Sequence, residues 1–133
     1  MCIRDSYKIN SSSELIDLKE AKKIFVSKQS RITRVIGSRS HSNQSFDSWV
    51  NQNFTNNEIV QAGSSLKFCL VAEGAADIYP RFGPTSEWDI AAGHIIVNEA
   101  GGRVNTFENT EINYNQKEDL LNPQFYAIGN YIL

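Results

Sequence analysis

The chain has 133 residues, with 13 Lys and Arg against 15 Asp and Glu, a formal net charge of −2. That length supports one domain with one core. A composition of 41% apolar and 21% charged residues is ordinary for a globular protein, and the slight acidity argues against a protein that coats nucleic acid. No apolar run approaches the ~20 residues of a membrane-spanning helix. The opening stretch lacks the apolar segment of ~7–15 residues that a secretory signal needs. Cys2 and Cys69 are too few for a disulfide framework, so a reduced, cytoplasmic setting is expected, either free or peripheral at the inner face of the membrane.

Residues Glu14 to Val26 read two ways. Leu15, Leu18, Ala21 and Lys22 have the spacing of a helical turn or two, while Ile24-Phe25-Val26 reads as a short strand. Periodicity alone leaves both open. Arg34-Val35-Ile36-Gly37 reads as a buried strand entering the polar loop Ser38-Arg39-Ser40-His41. A helix is expected from Asp47 to Phe54, with Phe46, Trp49, Val50 and Phe54 along one side. Glu58 to Gln61 is a second strand, ending at Gly63. The next helix has Ser64 or Ser65 near its N-cap, Leu66, Leu70 and Val71 at helical spacing, and Gly74 as a left-handed stop. Ala76 to Tyr79 is a third strand, broken by Pro80. Gly83-Pro84 marks a turn. Ser86-Glu87-Trp88-Asp89 has the capping-box pattern and opens a helix with a core face of Ala91, Ala92, Ile95, Ile96 and Ala100, ended by Gly101-Gly102. Arg103-Val104 and Phe125 to Gly129 are closing strands. The alternation predicts an α/β sheet with covering helices.

Three segments have residue types suited to chemistry. Ser38-Arg39-Ser40-His41 follows a strand, where α/β sheets often hold ligands. Its hydroxyls, guanidinium and imidazole suit a phosphate or a polar base, although a solvated polar turn has the same composition. Gly63-Ser64-Ser65-Leu66-Lys67 opens a helix whose free N–H groups and positive dipole end suit an anion. Lys67 is disfavoured in a first turn by ~0.3–1 kcal/mol, and a bound anion would offset that. The alternative is a plain cap beside a surface lysine. The spacing is not that of a P-loop. In Trp88-Asp89, the carboxylate of Asp89 either caps its helix or serves a hard divalent cation. His94 reads as a packed or surface histidine and Cys69 as a small core residue, rather than as ligands.

Taken in order, Gly63-Ser64-Ser65-Leu66-Lys67-Phe68-Cys69, Val71-Ala72-Glu73-Gly74, Tyr79-Pro80-Arg81-Phe82-Gly83-Pro84-Thr85 and Trp88-Asp89-x-Ala91-Ala92-Gly93 resemble the C-terminal half of the CysQ-type 3'(2'),5'-bisphosphate nucleotidases, a branch of the inositol monophosphatase superfamily. Ala100-Gly101-Gly102 completes that superfamily's C-terminal signature, and Leu121-Asn122-Pro123-Gln124-Phe125 is similar to the CysQ-type C-terminus. The resemblance spans about residues 34 to 130 and is weaker from 7 to 33. It implies a layered α/β domain with a mixed sheet flanked by helices. It also implies Mg2+-dependent removal of the 3'-phosphate from adenosine 3',5'-bisphosphate, giving AMP and phosphate. By position, Asp89 would bind Mg2+. Ser38 and His41 would line the nucleotide pocket, Gly63, Ser64 and Lys67 would contact the nucleotide or its phosphate, and Arg81 would bind phosphate.

The superfamily's first metal motif, Asp-Pro-[Ile/Leu]-Asp-Gly-[Thr/Ser], and its upstream Glu are absent from this sequence. Asp89 alone cannot activate water and neutralise a leaving oxygen. The chain therefore reads as a fragment, inactive alone, whose partners are a small nucleotide bisphosphate and the missing N-terminal half. Residues 1–6 read as an artefactual start, 7–33 as a remnant of that half, and 34–133 as the C-terminal phosphatase domain. Exposed apolar surface is expected where the two halves meet. The rival readings are an inositol or sugar phosphate phosphatase of the same superfamily and a non-catalytic phosphonucleotide-binding module.

Overall fold

The computed structural model describes residues 5–10, 17–28, 31–38 and 44–130. Strands β1 (Tyr7–Lys8) and β2 (Lys22–Lys23) pair antiparallel in a small separate sheet. Between them, Leu18–Glu20 forms one 3-10 turn capped by Asp17, whose carboxylate accepts the Lys19 N–H at 2.9 Å. That turn falls within the helical spacing read around Leu18, of which Glu14 and Leu15 lie outside the described residues. Ile24 to Val26 is extended without being a named strand. The Ile24 N–H donates to Ser6 O and the Val26 N–H to Ala100 O, and both side chains pack on the main core.

The principal sheet holds β3 (Thr33–Ser38), β4 (Asn57–Ala62), β5 (Ile78–Arg81), β6 (Arg103–Thr106) and β7 (Phe125–Ile128). Its order is β4-β3-β5-β7-β6. β3 runs parallel to β4 and β5, and β7 runs antiparallel to β5 and β6. The sheet is mixed, as expected. Helix α1 (Gln44–Asn53) connects β3 to β4, α2 (Leu66–Ala72) connects β4 to β5, and α3 (Glu87–Glu99) follows β5.

Strand residues alternate between two cores, because successive side chains leave opposite faces. Ile36, Tyr79, Phe125 and Ala127 join Phe68 and Val71 of α2 and Ile90 and Val97 of α3. Val35, Ile78, Tyr126 and Ile128 meet α1 on the other face, through Phe46, Trp49 and Val50. The sheet is thus sandwiched between α1 and the α2–α3 pair.

Four expectations need correction. Helix α1 begins at Gln44 rather than Asp47. Pro80 does not break β5 but lies within it, opposite Tyr126. β3 meets β5 at one position only, Val35 against Ile78, so on that flank there is no ladder for Pro80 to interrupt. The buried face of α3 is Ile90, Gly93, Val97 and Ala100, while Ala92 and Ile95 face outward. In α2 the register is inverted: Leu66 is 54% exposed and Lys67 only 7%. One cause is common to both helices. Gly93 allows α3 to approach Phe68 of α2, and the closest line between the helices sets which residues face inward.

β3 lies between β4 and β5, so the chain leaves β3 to one side and returns to the other. That reversal creates a switch point outside the carboxyl end of β3, where open α/β sheets hold ligands.

Candidate functional site

Four elements converge at that point. Ser38 is the last residue of β3 and Arg81 the last of β5. Ser64 and Ser65 form the turn into α2, which carries Lys67, and Asp89 lies in the first turn of α3. Two adjoining cavities open there and share Lys67, Tyr79, Arg81 and Pro84. The first, of about 220 Å³, adds Ile36, Ser38, Phe46, Pro80 and Phe82. The second, of about 290 Å³, adds Ser64, Ser65, Thr85 and Asp89. Of the residues singled out in the sequence, Ser38, Ser64, Lys67, Arg81 and Asp89 thus line one continuous region. Gly63 precedes the Ser64-Ser65 turn and lines neither cavity, and His41 lies outside the described residues.

The region is rich in cations. The Lys67 ammonium donates to the Ser64 carbonyl at 3.3 Å and stands 5.1 Å from the centre of the Tyr79 ring. Burial, and then the neighbouring Arg81 guanidinium, hold its pKa below the usual lysine value. Arg81 donates from one terminal nitrogen to Pro84 O at 3.2 Å, and its buried Nε has no hydrogen-bond partner among the described residues. Neither cation has an ion pair among those residues. Burying charge without a counter-charge is costly, so the buried Lys67 and the half-buried Arg81 on shared walls favour an anionic occupant. Burial also raises the Tyr79 phenol, against the pull of Arg81.

Ser64 holds its backbone at φ +50°, in the left-handed region. Ser65 is the N-cap of α2, but its side chain makes no capping bond. Asp89 does act as a cap, its Oδ2 accepting the Ser86 N–H at 2.9 Å. Its Oδ1 accepts no hydrogen bond among the described residues. No group of three or more His, Cys, Asp or Glu among those residues stands together as a metal site. The chain offers one carboxylate toward a divalent ion, beside two cations, so its residues by themselves do not fit a complete metal centre.

Sequence reasoning missed Phe46, Tyr79, Phe82, Pro84 and Thr85 as site walls. All but Phe46 flank Arg81 in the Tyr79–Thr85 run, so the position of that arginine was the available signal.

The same architecture recurs in an inositol monophosphatase from Anabaena, which superposes with a TM-score of 0.60 over 81% of this chain at 24% identity, a likeness of fold. Residues 6–129 match the inositol monophosphatase family, and the chain belongs to that family. Within it, the chain is similar to the 3'(2'),5'-bisphosphate nucleotidase CysQ of Salmonella typhimurium, 47% identical over 91 residues, which are 68% of this chain and 37% of that protein. The CysQ of Buchnera aphidicola is 45% identical over 108 residues, covering 80% of this chain and 40% of that protein. The crystal structure of CysQ from Bacteroides thetaiotaomicron superposes with a TM-score of 0.81 at 36% identity, over 95% of this chain and 51% of that one. The chain thus spans about half, or less, of the length of these relatives.

Proposed function

We propose that the chain supplies the C-terminal part of a phosphomonoesterase site. On this reading, the site removes the 3'-phosphate of adenosine 3',5'-bisphosphate, giving AMP and phosphate. The observation that carries the proposal is the pair of cations without counter-ions among the described residues, Lys67 and Arg81, on the wall common to both cavities. Two phosphates on one substrate call for more than one cation. Identity of 45–47% to proteins named as bisphosphate nucleotidases supports that substrate over an inositol phosphate.

In this reading Ser38 and Ser64 offer hydroxyls, and Lys67 and Arg81 hold phosphate oxygens. Mg2+ is the cofactor, with Asp89 as the single carboxylate from this chain and the other ligands from the preceding half of the enzyme. Residues 34–133 form the phosphatase domain's C-terminal portion. His41 and Gly63 remain proposed nucleotide contacts. Trp88, 69% exposed, follows Ser86 and Glu87, whose backbones meet those of exposed Leu121 and Leu120. These exposed apolar side chains at the start of α3, the helix that carries Asp89, suit a docking half.

The test has two steps. Calorimetry on the 133-residue chain compares adenosine 3',5'-bisphosphate with inositol 1-phosphate, and the nucleotide should bind more tightly. The chain is then mixed with the separately produced N-terminal half of a full-length CysQ, and phosphate release from the nucleotide is measured with Mg2+ present. Release on mixing, and none from either part alone, supports the reading. Tighter binding of inositol 1-phosphate in the first step, or no release of phosphate from the nucleotide on mixing in the second, overturns it.

A further inference from the structure

The two cavities differ in chemistry, and the difference assigns an orientation to the ligand. The second carries most of the hydroxyls (Ser64, Ser65, Thr85), Asp89 and the cations, beside Phe68, Tyr79, Pro84 and Ile90. Beyond Lys67, Arg81, Ser38 and Tyr79, the first is walled by Ile36, Phe46, Pro80, Phe82, Gly83 and Pro84 and carries no carboxylate. A ligand filling both has an anionic group at the shared cations and a flat or apolar group in the first. We propose that Phe46 and Phe82 form a seat for the nucleobase and decide specificity for nucleotides over polyol phosphates. The inference rests on the phosphate-site reading above and adds the residues that choose the alcohol portion of the ester.

Three observations support it. Phe82 is held in place: its ring stacks on Phe107 with centroids 4.8 Å apart and planes at 17°. Trp49 abuts both edge-on, 6.0 Å from Phe82 and 5.4 Å from Phe107. Little side-chain freedom therefore remains to be lost on binding. Phe46 belongs to the same packed cluster through the core face of α1, and it meets the sheet where Gly37 leaves room, 3.5 Å from where a Cβ would stand. Finally, a volume of about 220 Å³ is that of several waters at ~30 Å³ each, enough to admit a planar ring. A polyol there would turn hydroxyls toward phenyl and proline surface and leave them without partners, whereas a purine presents a π-face suited to aromatic walls.

The experiment measures binding of adenosine 3',5'-bisphosphate and of inorganic pyrophosphate to the full chain and to Phe82→Leu and Phe46→Leu. Leucine keeps apolar volume and removes the ring, and circular dichroism checks that each variant is folded. Trp49 fluorescence, in a Trp88→Phe background, provides a second signal. Each variant should lose nucleotide affinity about five- to a hundredfold and pyrophosphate affinity less than twofold. Trp49 emission should respond to nucleotide and not to pyrophosphate. Equal losses for both ligands, or unchanged nucleotide affinity in a folded variant, overturn the base seat. So does a wild-type chain that binds pyrophosphate as tightly as the nucleotide, although the phosphate site then stands. Failure of the wild-type chain to bind either ligand removes the phosphate site and the base seat together.

Discussion

Gly93 of α3 lies against the ring of Phe68 of α2, so closely that a Cβ on Gly93 would stand 2.5 Å from Phe68 Cγ. Phe68 also lines the cavity of Ser64 and Asp89 and stacks on Phe125 of β7 at 5.9 Å. Overpacking a core by one methyl costs about 1–3 kcal/mol. Gly93→Ala should lower the melting temperature by roughly 4–12 °C, as read by calorimetry. A variant with unchanged melting would show that the helices separate freely.

Asp77 is fully buried and gathers four donors. Arg34 donates its backbone N–H at 2.6 Å, its Nε at 3.0 Å and a terminal nitrogen at 2.7 Å, and Ser27 Oγ donates at 2.5 Å. Burial pushes this carboxyl up, but the bonds from Arg34 and Ser27 outweigh it and hold the pKa below 3.8. Its contribution is complete above pH 3.8 and is lost as pH falls through the lower, folded value. Asp77→Ala should cost about 3–5 kcal/mol at neutral pH, measured by urea unfolding, and the deficit should shrink in strong acid.

Lys67 has the opposite sign. Its folded pKa lies below 10.5, so between the two values the unfolded chain holds more protons and stability rises with pH. Below the folded value the buried ammonium burdens the fold. Lys67→Met should therefore be more stable than the wild type at pH 7, with the advantage shrinking toward pH 10.5. The same variant should lose most of its phosphate binding. A destabilised Lys67→Met at pH 7 would show that the ammonium is a structural prop.

His94 faces Tyr114 and Glu111, with its Nδ1 2.6 Å from the Tyr114 hydroxyl. Burial lowers its pKa below 6.5, against the upward pull of Glu111. Burial, and then the charge of Glu87, push the Tyr114 phenol up to about 12, so it stays protonated beside the imidazole. The unfolded chain takes up the His94 proton first, so this group's stabilisation is present above pH 6.5 and fades as pH drops below it. Proton resonances of the His94 ring should titrate with a midpoint under 6.5. His94→Gln should flatten the loss of stability between pH 6.5 and 5.

Strand positions were legible because alternation survives in both cores: Val35 and Ile36, or Tyr126 and Ala127, announce two buried faces. The cap of α3 was legible because Ser86 and Asp89 satisfy each other locally. Strand order was not, since periodicity says nothing about neighbours and β7 enters the sheet between β5 and β6. Lys67 was the hardest residue. Its place in a first helical turn left an anion contact and a surface lysine both open, and only the packing of α2 on α3 turned the lysine inward and the leucine outward. A bound anion was already suggested by a lysine in a first helical turn, but the burial of that lysine is encoded by no local pattern, while Arg81 and its aromatic neighbour were already adjacent in the chain.

Ser64, at φ +50°, sits in a backbone conformation that costs a non-glycine residue on the order of 1–3 kcal/mol and glycine far less. A chain selected for robustness alone would place glycine there. Keeping a hydroxyl on the cavity wall instead sets durability against ligand capture at one position, so Ser64→Gly should melt later and hold phosphate less firmly, a compromise readable in a single exchange.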